Sequence, residues 1–162
     1  SVADYQNAVA RLQVDDAAMK YRADSIEFML PGLPEQVKAI TGVSGVEEWG
    51  RWSDANLAPA VDIDYVDPLP KSFDLVLRAR AYGNNVGEPI SVRVGDEERF
   101  VSLGEQDSTV TLRFDNPRGA QKISITPPAP TEPKESASGG FTPKKLGIGL
   151  VSLKVEAASP SS

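Results

Sequence analysis

The feature that most constrains the fold is a series of short segments in which apolar and polar residues alternate. Alternation with a period of two places one apolar face on an extended chain, the pattern of a half-buried β-strand. About eight such segments occur, and Gly, Pro, Asn and Asp residues separate them. They start near Ile26, Val61, Phe73, Ile90, Arg99, Val110, Ile123 and Leu146.

The order of these segments predicts the fold class. No helical segments alternate with the strands, so the chain lacks the helices that cover a parallel sheet on both faces. The sequence therefore predicts a mainly β fold, an antiparallel two-sheet sandwich that is jelly-roll-like and has about eight strands. The stretch PEQVKAITGVSG, residues 34–45, shows no clear alternation and is predicted to form a helical turn. In the last segment the apolar residues change parity at Leu150, which predicts a β-bulge.

The composition along the chain predicts three parts. Residues 1–24 lack Gly and Pro and carry apolar residues at helical spacing, which predicts a short helical lead-in from a preceding domain. Residues 25–157 are predicted to form the β-sandwich domain, with the Pro-rich stretch 127–145 as an excursion within it. Residues 158–162 are predicted to be a disordered tail. Because the sequence begins with Ser rather than Met, we interpret it as a fragment of a longer protein.

The charge balance and the missing residue types exclude several classes of function. With 17 basic and 23 acidic residues the net charge is −6, the wrong sign for a phosphate backbone, so we expect no nucleic acid partner. No apolar run reaches the roughly 20 residues of a spanning helix, so we expect no direct membrane insertion. The chain has no His and no Cys, which excludes Ser-His-Asp triads, Cys-His pairs and zinc sites with His or Cys ligands. We expect neither metal nor cofactor, and no enzyme activity; a carboxylate-only glycosidase remains a formal alternative.

The stretch VEEWGRWSD, residues 46–54, contains both tryptophans of the chain. Residues three apart point to opposite faces of a strand, but a kink at Gly50 would place both indoles on one side, with the guanidinium of Arg51 between them. Aromatic faces stack on pyranose rings, and charged side chains bond to sugar hydroxyls. The candidate carbohydrate-binding residues are Trp49, Arg51, Trp52, Glu48 and Asp54.

Each candidate site also has a structural interpretation. The two tryptophans would instead cap one open end of the sandwich, with Arg51 paired to Glu48 or Asp54, since large aromatic residues commonly fill cores. The acidic residues Asp62, Asp64 and Asp67 would suit Ca²⁺, but ordinary strand alternation on a solvated face is the favoured interpretation.

Two stretches carry a resemblance to a known family. GVSGVEEWGRWSD (residues 42–54) and KKLGIGLVSLKVE (residues 144–156), with acidic alternating strands between them, resemble the β-rich domain at the C-terminal end of periplasmic phosphoglycerol transferases, enzymes that modify osmoregulated glucans. The resemblance covers residues 26–156. It maps the family's motif onto Glu48, Trp49, Gly50, Arg51, Trp52, Ser53 and Asp54.

The resemblance implies an accessory role beside an enzyme. In that family the chemistry belongs to a separate alkaline-phosphatase-like domain of the same chain, which is anchored in the inner membrane and acts in the periplasm. The implied function is a non-catalytic domain that binds or positions a periplasmic β-glucan. The alternative is a structural or interaction module that packs on the catalytic domain and has no ligand of its own.

Overall fold

The computed structural model describes residues 25–133 and 143–158, which form ten strands and one short 3-10 helix, Gly83–Asn85. The strands are β1 (Ser25–Glu27), β2 (Val37–Thr41), β3 (Arg51–Asp54), β4 (Val61–Tyr65), β5 (Ser72–Ala81), β6 (Ile90–Val94), β7 (Glu97–Val101), β8 (Ser108–Asp115), β9 (Lys122–Thr126) and β10 (Leu146–Ala157).

The strands form two antiparallel sheets. Sheet A has the order β1-β10-β5-β8, and β3 also pairs with β10; sheet B has the order β2-β4-β9-β6-β7. β1 and β3 lie along the same edge of β10, with β3 beside its first half and β1 beside its second half. The predicted mainly β, two-sheet antiparallel fold is confirmed, with ten strands in the described ranges where the sequence indicated about eight.

The core lies between the two sheets and follows the period-two pattern of the sequence. In β5 every second residue from Phe73 to Ala81 is buried, and the residues between them point outward. Phe73 stacks on Phe114 of β8 with ring centroids 5.7 Å apart. Ile123 and Ile125 of β9 are fully buried and line the inner face of sheet B. Burial of this apolar surface is the main stabilising term of such a fold.

Sequence analysis missed two strands, β2 and β3, for local reasons. Residues 34–45 do not form the predicted helical turn, because Val37–Thr41 pairs with β4 as β2. The register shifts between Val37 and Ala39, and such a bulge breaks the alternation that reveals a strand. β3 has only four residues, too few to show a period. At the start of the domain the first strand ends at Glu27, and Leu30 is exposed rather than part of it.

The predicted bulge in the last strand is confirmed. The β10–β5 register shifts between Leu150 and Ser152, and the β10–β3 register shifts between Leu146 and Gly149. Before the bulge, Gly149 points outward while Leu150 lies in the core.

Parts of the predicted domain organisation lie outside the described residues. These parts are the helical lead-in 1–24, the last four residues and the middle of the Pro-rich stretch, 134–142. The described start of the Pro-rich stretch is tied to the sandwich, because Thr131 and Leu146 exchange two backbone hydrogen bonds. The division of the chain into lead-in, domain and tail stays a prediction.

In the described ranges, no helix has both the length and the apolar character needed to cross a membrane.

A candidate glycan-binding face on sheet A

The turn before β3 brings both tryptophans to one side of the sheet. The N–H of Glu47 donates to the carbonyl of Gly50 at 2.8 Å and closes this turn. Gly50 has φ +154°, and a Cβ at this position would collide with the carbonyl oxygen of Leu150. Only glycine therefore permits the close approach to β10 that starts β3.

Three aromatic side chains form a row on the outer face of sheet A. The ring centroids of Trp49 and Trp52 are 4.8 Å apart at 68°, and those of Trp52 and Tyr82 are 5.3 Å apart at 71°. All three side chains are half-buried. Edge-to-face contacts of this kind add stability beyond the buried area. We call Trp49, Trp52 and Tyr82 the aromatic row.

The aromatic row rests on a gap in the sheet that Gly149 provides. Gly149 of β10 pairs with Trp52 of β3 on one side and with Arg80 of β5 on the other. A Cβ at Gly149 would lie 2.8 Å from Trp52 and 3.1 Å from both Trp49 and Arg80. The missing side chain therefore lets the indoles approach the backbone of the sheet.

Arg80 is the cation of this site. Its guanidinium carbon lies 3.8 Å from the ring centroid of Trp49 and 5.3 Å from that of Trp52, which is cation–π geometry. The Nε atom is 3.7 Å from Oδ1 of Asp107, an ion-pair distance that is too long for a hydrogen bond. This buried Nε has no hydrogen-bond partner in the described parts of the chain.

Arg51 does not occupy the position that sequence analysis gave it. Its Nε donates to the carbonyl of Ser44 at 2.7 Å, and the cation stacked on the indoles is Arg80. The expected geometry was wrong because Arg51 and Trp52 are neighbours in a strand and point to opposite faces. Burial lowers the pKa of the Arg51 guanidinium from its usual value. Arg51 thus holds the chain before β3 in place.

The two candidate carboxylates are also separate from the aromatic row. Asp54 is 5% exposed, and its Oδ1 accepts hydrogen bonds from the N–H groups of Asn56 and Lys145, both at 3.0 Å. It closes the turn after β3 and fixes the start of β10. Glu48 is exposed in the turn before Trp49.

Ser53 completes this structural half of the motif. Its buried Oγ accepts hydrogen bonds from the N–H groups of Gly147 and Ile148, at 3.1 and 2.9 Å. These two donors lie where the β10–β3 register shifts, so the hydroxyl replaces the missing partners. The WGRWSD motif therefore divides into residues that fasten β3 to β10 and two indoles that face outward.

Three residues of the site escaped sequence analysis: Arg80, Tyr82 and Gly149. The alternation in β5 indicates that the side chain of Arg80 points outward, but nothing in the local pattern places it beside β3. Tyr82 directly follows β5, and its N–H donates to the carbonyl of Gly147 at 3.0 Å, which holds it over β10.

The acidic residues of β4 belong to the opposite sheet. Asp62 accepts a hydrogen bond from Ser124 at 2.6 Å, and Asp64 lies 3.9 Å from Nζ of Lys122. These pairs are typical of a solvated polar face. Across residues 25–133 and 143–158, no group of three or more His, Cys, Asp or Glu side chains is arranged to hold a metal ion.

A separate cavity of about 220 Å³ lies where β4 and β10 end, lined by Gln36, Tyr65, Asp67, Pro68, Leu69, Pro70, Val155 and Ala157. Val155 is six residues beyond Gly149, or about 20 Å along the strand, so this cavity is remote from the aromatic row.

Solved structures of carbohydrate-binding modules have a similar fold. A family 29 carbohydrate-binding module complexed with cellulohexaose superimposes with a TM-score of 0.50 at 13% sequence identity, covering 82% of this chain and 91% of that one. Another variant of the same module gives a TM-score of 0.51 at 12% identity, covering 85% and 99%. At these identities the likeness shows the jelly-roll sandwich fold alone.

The chain belongs to the family described as "Domain of unknown function (DUF7024)", whose model matches residues 13–157. It is 49% identical over 154 residues to phosphoglycerol transferase I of Escherichia coli (strain SE11), covering 95% of this chain and 20% of the relative. The phosphoglycerol transferase I of Shigella boydii serotype 18 gives the same identity and coverage. The resemblance to phosphoglycerol transferases is confirmed, and the chain spans about one fifth of the length of these relatives.

Proposed function

We propose that this chain is a non-catalytic accessory domain of a phosphoglycerol transferase and that it binds or positions a β-glucan. The 49% identity to one fifth of such a transferase supports a small domain within a larger chain. On this proposal the alkaline-phosphatase-like catalytic domain of the parent chain is its partner. The parent is anchored in the inner membrane, and the domain works in the periplasm.

The aromatic row beside Arg80 is the observation that carries the glucan proposal. Large aromatic side chains of a sandwich ordinarily point into the core, but Trp49, Trp52 and Tyr82 lie half-exposed on the outer face of a sheet. Indole and phenol faces pack against the C–H groups of a pyranose, and the terminal nitrogens of Arg80 donate to its hydroxyls. The site we propose is therefore centred on Trp49, Trp52, Tyr82 and Arg80, and it differs from the sequence-based set by replacing Arg51, Glu48 and Asp54.

A second candidate function is a purely structural module that packs on the catalytic domain. The packing of the rings against one another and against Gly149 favours it, because the same contacts stabilise the fold without a ligand. The two candidates differ in one measurable respect. In a structural module, substitution at the aromatic row lowers stability and changes no ligand affinity.

The deciding experiment is a titration of the 162-residue chain with linear cellohexaose and with a cyclic β-glucan. Tryptophan fluorescence and amide chemical shifts report binding, and we expect saturable changes centred on the aromatic row. Trp49→Ala should reduce affinity at least about tenfold, as loss of a stacking residue does. Phe100→Ala is the matched control, since Phe100 is an exposed aromatic residue on sheet B. Absence of any response at millimolar glucan would leave the structural module as the function.

A further inference from the structure

The basic residues on the outer face of sheet A are paired with carboxylates, with one exception. Arg80 lies beside Asp107, Arg113 makes a bidentate contact with Asp74, and Lys154 lies 2.9 Å from Glu156. The side chain of Arg78 is exposed and makes no ion pair or hydrogen bond with any described residue. It is therefore the free cation of this face within the described ranges.

Arg78 also lies next to the proposed glucan site. It precedes Arg80 by two residues in β5, so both side chains point outward, about 7 Å apart along the strand. A chain bound on the aromatic row would reach Arg78 without leaving the sheet.

Two hydroxyl groups flank Arg78. Ser152 of β10 and Thr109 of β8 are its direct cross-strand partners, so their side chains stand on either side of it, about 5 Å away between Cβ atoms. A guanidinium between two hydroxyl donors matches the oxygens of a phosphate. Glu27 of β1 pairs with Ser152 and is the carboxylate that faces this position from the sheet edge.

We propose that Arg78, with Ser152 and Thr109, binds an anionic substituent, a phosphate diester, on a glycan held by the aromatic row. This inference rests on the proposed function and names its ligand class as a glucan that already carries phosphoglycerol. The net charge of the whole chain would by itself disfavour an anionic glycan through like-charge repulsion. The net charge of −6 is a sum over the whole chain, whereas the unpaired guanidinium of Arg78 determines the electrostatic potential at this position.

The test compares one β-glucan in two forms, unsubstituted and carrying phosphoglycerol groups, by calorimetric titration of the 162-residue chain. We expect the substituted form to bind about five- to tenfold more tightly at low salt, because a charge-assisted hydrogen bond is added. The preference should weaken as salt rises toward 1 M. Glycerol phosphate alone should not bind at millimolar concentration, because the aromatic row supplies the rest of the affinity.

Variants assign the preference to Arg78. Arg78→Gln should abolish the preference and leave affinity for the unsubstituted glucan unchanged, and Glu27→Gln should increase the preference. Arg93→Gln, on the outer face of sheet B, is the control and should behave as the original chain.

This inference would be overturned, while the glucan proposal stands, if the substituted glucan bound no more tightly than the unsubstituted one. It would also be overturned if free glycerol phosphate bound as tightly as the substituted glucan. Failure to bind either glucan would remove both.

Discussion

The outer faces of the two sheets differ in how their side chains are used. On sheet B, polar groups satisfy one another across strands: Asp62 with Ser124, and Arg93 with Glu98 at 3.2 Å. Its exposed aromatic residue, Phe100, has no aromatic neighbour in the described parts of the chain. On sheet A the aromatic row gathers over Gly149, and Arg80 and Arg78 keep donors without hydrogen-bond partners.

The comparison shows what separates a solvated face from a candidate binding face in one sandwich. Sheet B has the cross-strand pairs that any exposed strand uses, and these leave little bonding capacity for a ligand. Sheet A has clustered apolar rings next to unsatisfied donors, the combination that ligand sites require. Gly50, directly before β3, and Gly149 of β10 create this difference, because each lacks a side chain where the backbone or the rings must approach.

The largest effect should come from Gly50→Ala, which attacks the attachment of the aromatic row to sheet A. The new Cβ would meet the carbonyl of Leu150 and would force an unfavourable φ. We expect a loss of more than about 3 kcal/mol in unfolding free energy by chemical denaturation. Gly32→Ala is the control, since Gly32 also has positive φ but has open space around it, and it should cost only about 1 kcal/mol. Equal costs would show that the approach to β10 is not what requires glycine.

Substitution of one aromatic residue on each face compares the faces directly. Trp52→Ala removes contacts to Trp49, Tyr82 and Gly149, so we expect a loss of about 2 kcal/mol, less than for a fully buried indole. Phe100→Ala should change stability by less than about 0.5 kcal/mol. Denaturant unfolding of both variants measures this difference. A Phe100 effect as large as that of Trp52 would contradict the distinction between the faces.

Gly149→Ala tests whether the aromatic row depends on the gap beneath it. The added methyl group would displace the indoles and the stem of Arg80, at a cost of about 1 kcal/mol in stability. Glucan affinity should fall at least about threefold, and the tryptophan emission should shift as the rings move outward. Gly104→Ala has open space and no positive φ, so it should leave both properties unchanged. An unaltered emission spectrum for Gly149→Ala would mean that the rings do not rest on this glycine.

The smallest expected effect on stability comes from the Asp74–Arg113 ion pair. This pair lies on sheet A outside the candidate site, where exposed charges pair with one another. The hydrogen bond from Arg113 holds the pKa of Asp74 below its usual 3.8. The folded state therefore binds this proton less readily than the unfolded state, so the pair stabilises above about pH 4, and its contribution is lost as pH falls through the folded-state pKa.

Asp74→Asn should lower the denaturation midpoint slightly at pH 7 and leave it unchanged near pH 2, because both groups are exposed to solvent. Asp96→Asn, which removes the exposed ion pair with Arg118 at the sheet B hairpin, is the control and should have a smaller effect still. A midpoint difference for Asp74→Asn that grows toward low pH would contradict the assigned direction of the pKa.

The site was predictable only in part. The clustered indoles pointed to the segment that supplies two members of the aromatic row, and the need for glycine at position 50 was readable. The sequence did not show which cation joins the indoles. Arg80 lies 28 positions beyond Trp52, and the two meet only because the strands have the order β3–β10–β5. Asp54 looked like a ligand by composition, but its carboxylate is used by the backbone donors of Asn56 and Lys145.

The sequence by itself determined the class of fold, since alternating apolar residues between turn residues can bury their surface only as stacked antiparallel sheets. It also determined the bulge in β10, through the change in apolar parity. The tertiary structure alone decided the strand order and which residues form the aromatic face. It also revealed β2, whose bulge breaks the alternation, and β3, which is too short to show a period. The physical reason is the distance along the sequence over which each feature is set. The apolar period shows which face of one strand is buried, whereas contacts between strands depend on pairings that no local pattern specifies.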